Sequence, residues 1–129
     1  MAKNNDFYST VENICQADAR YKTDGYEFLM QALHFTQQHF KRQGHVSGQE
    51  LLEGVRLYAI EQFGPMAKTV LAHWGIHATV DIGNMVFNMT ENKLLSKTDN
   101  DSIDDFKTGY DFQDAFGNVL KDALIQDLG

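Results

Sequence analysis

The most constraining feature of the sequence is a run of helix-boundary signals between Ser47 and Gly75. Ser47 and Glu50 form a Ser-x-x-Glu capping box, after which apolar residues recur at helical spacing. Gly64 then places a helix-ending glycine directly before Pro65, a residue that favours the first turn of the next helix. Gly75 supplies a second stop. The chain is therefore expected to form two consecutive helices here, joined by a tight turn.

Two further helices flank this region. One is expected to begin at Asp24, which with Glu27 resembles a capping box, and to stop at Gly44. The other is expected between His77 and Leu95. The residues of this later helix that are expected to face the core are Ile82, Met85, Val86 and Met89.

The C-terminal part is expected to contain the strands. "LLSKT" at 94–98 and "DFKTGYDF" at 105–112 are short and bounded by turn residues, as hairpin strands are. Helices followed by a hairpin form the order of a winged-helix module. The expected fold class is mainly α with a small C-terminal β-hairpin, a winged-helix-like helical domain. A last amphipathic helix is indicated by Phe112, Phe116, Val119, Leu120, Ala123 and Leu124.

The 129 residues are expected to form a single domain, with 1–20 and 117–129 as peripheral segments. An apolar fraction of 43% with 22% charged residues is typical of a globular protein. Cys15 is the single cysteine, and neither a signal peptide nor an apolar run of membrane-spanning length is evident. A cytoplasmic location is therefore expected. The spacing of Phe7, Val11 and Ile14 indicates a short N-terminal helix.

The net charge of −7 is unevenly distributed. Residues 1–76 hold seven basic and eight acidic side chains, whereas residues 77–129 hold four basic and ten acidic ones. Nucleic acids and anionic membranes attract proteins mainly through Lys and Arg. An acidic domain of this kind is therefore not expected to bind either of them.

Three asparagines lie along one side of the helix at residues 77–95: Asn84, Asn88 and Asn92. In a winged-helix protein this helix would enter the major groove, where asparagine can pair with adenine edges. No Lys or Arg accompanies the three asparagines, so a solvated polar face is the favoured interpretation. Base reading stays open as the alternative.

A neighbouring strip of the same helix carries Val80, Phe87 and Glu91. Apolar residues opposite the core stripe indicate that this face is covered by another part of the chain or by a partner. The candidate interaction surface therefore comprises Val80, Asn84, Phe87, Asn88 and Glu91. A protein partner or self-association as a homodimer is the expected form of contact.

The expected hairpin turn is rich in aspartate. Asp99, Asp101, Asp104 and Asp105 offer oxygen ligands of the kind that Ca²⁺ prefers. An EF-hand loop has ligands at alternate positions, a central glycine and a closing glutamate. Here Ile103 interrupts the alternate ligand positions, and the glycine and glutamate are missing. A solvated charged turn is the favoured interpretation, and cation binding stays open.

The remaining candidates for chemistry are weak. His73 and His77 are four residues apart, a spacing that suits a shared metal, but Gly75 is expected to end the helix between them. His34 and His39 do not share a helix face, and Cys15 has no assignable histidine partner. No phosphate-binding glycine loop or hydrolase motif is present. The expectation is a non-enzymatic protein without a metal or other cofactor.

The tracts "HVSGQELLEG", "YAIEQFGPMA" and "SKTDNDSIDDF" resemble those of a small uncharacterised bacterial protein family. The resemblance covers about residues 24–116. It implies a single bacterial cytoplasmic domain, winged-helix-like, and carries no activity over to this chain.

Three functional hypotheses follow, and the first is preferred. It is a protein-interaction or regulatory module. The alternative is a DNA-binding winged-helix transcriptional regulator that would use Lys41, Arg42 and Arg56 for phosphate contacts. The third hypothesis is an enzyme of unrecognised type.

Overall fold

The computed structural model describes residues 2–96, 104–107 and 109–117, and this part of the chain is mainly helical. None of the helices in these ranges is both long and apolar enough to cross a membrane. The helices, in chain order, are α1 (Ala2–Ala17), α2 (Thr23–His39), α3 (Gly48–Phe63), α4 (Ala67–His73), α5 (Thr79–Glu91), α6 (Asp104–Lys107) and α7 (Phe112–Phe116).

The start of α3 confirms the predicted capping box. The Ser47 hydroxyl accepts a hydrogen bond from the backbone N–H of Glu50 at 3.0 Å, and the Glu50 carboxylate accepts from the N–H of Ser47 at 2.9 Å. Gly64 ends α3 with a φ of +53° and is followed by a short 3-10 turn, Gly64–Met66, that leads into α4. The boundary signals therefore determine this region as predicted.

The start of α2 differs from its prediction. The helix begins one residue before Asp24, and its N-cap residue Lys22 makes no side-chain capping bond. The expected capping box of Asp24 with Glu27 is therefore wrong. The Lys22 N–H instead donates to the carbonyl of Trp74 at 3.2 Å, so a tertiary contact replaces a local cap.

Three helices end in the same way, with a residue in left-handed conformation after the last turn. The positions are Lys41 (φ 57°), Gly75 (φ 91°) and Lys93 (φ 63°). After α4, the N–H of Ile76 donates to Leu71 at 2.9 Å and that of Gly75 donates to Ala72, which is the Schellman pattern. Lysine occupies the left-handed position at two of these ends, so α2 stops at His39, before the predicted stop at Gly44.

The core takes buried side chains from all seven described helices, and α2, α3 and α5 contribute the most of them. The inward residues predicted for α5 are confirmed, because Ile82, Met85 and Met89 are buried and Val86 packs against them. The closest helix pair is α2 with α3, where Gly54 faces Thr36 so tightly that a Cβ at residue 54 would collide with the threonine side chain. The Thr36 hydroxyl is satisfied within its own helix by the carbonyl of Ala32, at 2.7 Å.

The predicted hairpin is not present in the described residues. Leu94 and Leu95, expected to open the first strand, follow directly after α5 and close its C-terminal end, because the backbone N–H groups of both donate to the carbonyl of Met89. Of the second expected strand, 105–112, residues 105–107 belong to α6, Phe112 opens α7, and residues 109–111 are neither helix nor strand. Residues 97–103, which include Asp99 and Asp101, lie outside the described ranges.

Phe106 holds the α6 segment in place. Its ring lies in a gap between α3 and α5 where Gly48 and Gly83 have no side chains. The carbonyl of Phe106 accepts a hydrogen bond from the buried hydroxyl of Thr79 at 2.5 Å. A strand would need a neighbouring strand to pair its backbone, whereas this segment is held by a buried ring and a side-chain bond.

Helices near both ends of the described chain contribute to the core. In α1, Val11 and Ile14 are buried in the common core. Near the other end, Phe112 and Phe116 are buried in α7. The predicted continuation of the last helix lies outside the described residues.

Candidate functional site

The first turn of α5 is fixed by one carboxylate. The Asp81 Oδ2 atom accepts from the backbone N–H of His77 at 2.8 Å and from that of Ala78 at 3.1 Å. Its Oδ1 atom accepts from the hydroxyl of Tyr21 at 2.6 Å. Because Ala78 precedes the helix and has no capping side chain, Asp81 supplies the acceptor that the helix start needs.

Two of the three asparagines make hydrogen bonds to other parts of the chain. The Asn84 amide donates to the Tyr21 hydroxyl at 3.1 Å. The Asn88 amide donates to Asp18 and to the hydroxyl of Tyr26, both at 3.0 Å. Both asparagines are half-buried, so the expected solvated polar face is instead a contact with the connection between α1 and α2. Asn92 is exposed.

The hydrogen bonds of Asn84 and Asn88 with Asp18, Tyr21 and Tyr26 are here called the asparagine network. Charge and burial determine the protonation states of its members. A hydrogen bond from the Arg20 guanidinium, at 2.7 Å, holds the pKa of Asp18 well below its usual value. Burial and the bond to the Asp81 carboxylate raise the pKa of Tyr21 to about 12. Burial also raises the pKa of Tyr26. Near neutral pH both phenols therefore remain protonated, which keeps Tyr21 as a donor to Asp81.

The other three residues of the candidate surface lie on the outside of α5, in what is here called the outward strip: Val80, Phe87 and Glu91. Phe87 is 56% exposed, Val80 is half-buried and Glu91 is exposed. Among the described residues, the only other large apolar side chains with such exposure are Tyr8 at 41% and Met66 at 55%. The outward strip therefore carries one of three exposed apolar anchors.

A cleft of about 390 Å³ lies on the opposite flank of α5 from the asparagine network. It is here called the α2–α5 cleft. Its walls come from α2, the α2–α3 connection, the start of α3, α5 with the residues after it, and Phe106. The apolar lining residues are Met30, Leu33, Val46, Leu51, Val86, Leu94, Leu95 and Phe106. Polar lining is provided by His34, Gln37, His45, Ser47, Thr90 and Ser96.

The predicted metal and nucleophile candidates do not converge. Within the described ranges, no group of three or more His, Cys, Asp or Glu side chains is placed to hold a metal ion. His73 and His77 are exposed and are separated by the left-handed Gly75. The Cys15 thiol is half-buried and donates to the carbonyl of Tyr21 at 3.4 Å. Of the four aspartates considered for cation binding, Asp99 and Asp101 lie outside the described residues.

Two of the three basic residues considered for phosphate binding are engaged by carboxylates. Arg42 pairs with Glu50 at 2.8 Å. Arg56 pairs with Glu53, one turn away on α3. Lys41 is exposed at the end of α2.

Sequence reasoning missed Tyr21 and the cleft. Asp81 carried a local signal, since an acidic residue at the third position of a helix can reach back to the helix start. Nothing near Tyr21 in the sequence identifies its partners, which are 60 and 63 residues away. The cleft likewise joins residues from Met30 to Phe106.

Comparisons with protein-family models, with curated proteins and with solved structures find no match for this chain.

Proposed function

We propose that the protein is a non-enzymatic protein-interaction or regulatory module of the bacterial cytoplasm, and that the outward strip of α5 is its contact surface. A second copy of the chain is the partner that the proposal names. The observation that carries it is the 56% exposure of Phe87 in the middle of α5. Exposed aromatic side chains are frequent anchors of protein interfaces.

The surroundings of Phe87 support this use. The helix is held on one flank by the bonds of Asn84 and Asn88 and on the other by the close contact of Gly83 with Phe106. The outward strip is therefore presented in a fixed orientation. A surface that is ordered before binding loses less conformational entropy when a partner docks.

Sedimentation velocity of the wild type and of Phe87→Asp tests the proposal. We expect the wild type to form a dimer at micromolar concentration and the variant to be monomeric. An anchor of this kind is worth about 2 kcal/mol or more, and a charge at its centre adds a desolvation cost. Circular dichroism should show an unchanged helical fold, because the side chain is exposed.

Met66→Asp is the matched control. Met66 is exposed to the same degree, at 55%, and belongs to a different element, the turn before α4. The proposal requires this variant to dimerise as the wild type does. A wild type that stays monomeric at high concentration contradicts the proposal, and so does loss of the dimer in both variants. Unfolding of Phe87→Asp would instead assign Phe87 to the core.

The alternative function is a DNA-binding winged-helix regulator, and the contacts of its key residues favour the interaction module. Asn84 and Asn88 would have to release their partners within the chain before they could read bases. Arg42 and Arg56 would have to leave their glutamates before they could bind phosphates. Of the three, Lys41 is the one without a carboxylate partner in the part of the chain that the structure describes.

A further inference from the structure

The α2–α5 cleft has the size and lining of a small-molecule site. Its volume of about 390 Å³ falls within the roughly 300–1,000 Å³ range of such pockets. Seven of its eight apolar lining side chains are aliphatic or methionine, and only Phe106 is aromatic. Walls made of flexible aliphatic side chains suit a linear hydrocarbon chain, since they lack the flat faces that stack on a planar ring.

Two histidines form the polar side of the cleft. His34 belongs to α2 and His45 to the α2–α3 connection, and both are exposed. Neither imidazole has a hydrogen-bond partner among the described residues. Imidazole N–H groups are donors, and a protonated histidine adds positive charge. These two side chains are therefore available to an acceptor on a ligand.

Acidic side chains are unevenly distributed around the cleft. Residues 28–49 contain no aspartate or glutamate, although the protein as a whole is acidic. The nearest acidic side chain on the histidine side is Glu50 by sequence, and it is paired with Arg42. Asp105 of α6 lies beside Gly48, at the start of α3. A negative charge is therefore favoured at the histidine side and disfavoured at the α6 side.

We propose that the α2–α5 cleft binds a small amphiphile that has a linear aliphatic chain and one carboxylate. The chain lies along the aliphatic walls towards Phe106, and the carboxylate accepts hydrogen bonds from His34 and His45. Charge-assisted bonds of this type are about twice as strong as neutral ones. The site uses a different flank of α5 from the outward strip, so it does not depend on the proposed dimer.

Isothermal titration with three probes that share one chain length tests the head group. The probes are decanoate, decanol and decyltrimethylammonium, each used below the concentration at which it forms micelles. We expect saturable binding of one decanoate per chain, about tenfold weaker binding of decanol, and no saturable binding of the cation. Equal binding of decanoate and decanol, or binding without saturation, overturns the proposal.

Paired histidine variants test the residues. His34→Gln combined with His45→Gln should lower the affinity for decanoate to that for decanol and leave the affinity for decanol unchanged. His73→Gln combined with His77→Gln removes two exposed histidines outside the cleft and should change neither affinity. A cleft double variant that still binds decanoate as the wild type does overturns the assignment.

Methyl NMR of the unmodified protein locates the ligand without any mutation. The methyl resonance of Met30, which lines the cleft, should shift on addition of decanoate. The methyl resonance of Met66, which is exposed elsewhere, should not shift. Shifts of equal size at both methionines would mean general surface adsorption and would overturn the proposal.

Discussion

Asn88 on α5 donates its side-chain amide to the carboxylate of Asp18 at 3.0 Å, across 70 residues of sequence. This contact turns the polar flank of α5 towards the connection between α1 and α2. As a result, the asparagines are engaged inside the chain, Phe87 faces outward, and Val86 faces the cleft. The orientation of one helix thus decides which of its surfaces is available to a partner.

Replacing Asn88 by alanine should lower the free energy of unfolding by about 1–3 kcal/mol, because it leaves half-buried oxygens of Asp18 and Tyr26 without their donor. Urea unfolding followed by circular dichroism measures the loss. Asn92→Ala is the control. Asn92 is exposed and bonds only to a carbonyl of its own helix, so its loss should stay below about 0.5 kcal/mol. Equal losses in the two variants would mean that the Asn88 network does not stabilise the fold.

Tyr21 should make the stability of the protein sensitive to alkaline pH. Its pKa is raised from 10.0 to about 12 in the folded chain, so folding favours the protonated phenol. The resulting stabilisation is complete below pH 10.0 and is lost as the pH rises towards about 12. Thermal unfolding measured at a series of pH values should show this decline.

Tyr21→Phe isolates that contribution. The variant should be less stable than the wild type near neutral pH, because Asp81 loses the donor at 2.6 Å. Above pH 10 its stability should fall less steeply, because one titrating phenol is gone. Tyr8, Tyr26 and Tyr110, whose pKa values are also raised, contribute to the slope that remains. Parallel curves for the two proteins would contradict the role assigned to Tyr21.

Gly54→Ala should destabilise the protein although alanine favours helices by up to about 1 kcal/mol over glycine. The new methyl group would collide with the Thr36 side chain at the closest approach of α2 and α3. Overpacking in a core typically costs about 1–3 kcal/mol, so a net loss is expected in urea unfolding. Adding Thr36→Gly to Gly54→Ala should recover part of the stability lost by the single variant. No recovery would mean that the two residues do not share this space.

The unmodified protein should show no measurable binding to random duplex DNA at roughly 50 mM salt, where phosphate contacts are strong. The acidic C-terminal part carries ten acidic against four basic side chains in residues 77–129, and Asp99, Asp101, Asp104 and Asp105 would repel a phosphate backbone. Fluorescence anisotropy with a labelled duplex measures the binding. Replacing the four aspartates by asparagine should create weak binding at most. Micromolar, salt-sensitive binding by the wild type would favour the DNA-binding alternative over the interaction module.

The sequence alone determined where most helices lie. The capping box at Ser47, the stop at Gly75 and the inward stripe of α5 are signals that act within a few residues, and all three are confirmed. Such signals can be read from sequence because a helix satisfies its hydrogen bonds within its own segment. The candidate residues of the outward strip could be named for the same reason, since helical periodicity separates the faces.

Only the tertiary structure decided how those helices meet. Residues 105–112 resemble a strand locally, yet Phe106 is buried between Gly48 and Gly83, and Lys93 turns the preceding chain through a left-handed residue. Asn88 resembles a solvent-facing residue until Asp18 and Tyr26 are placed beside it. The physical reason is the same in each case. Burial and hydrogen bonding depend on partners tens of residues away, and only the folded chain brings those partners together.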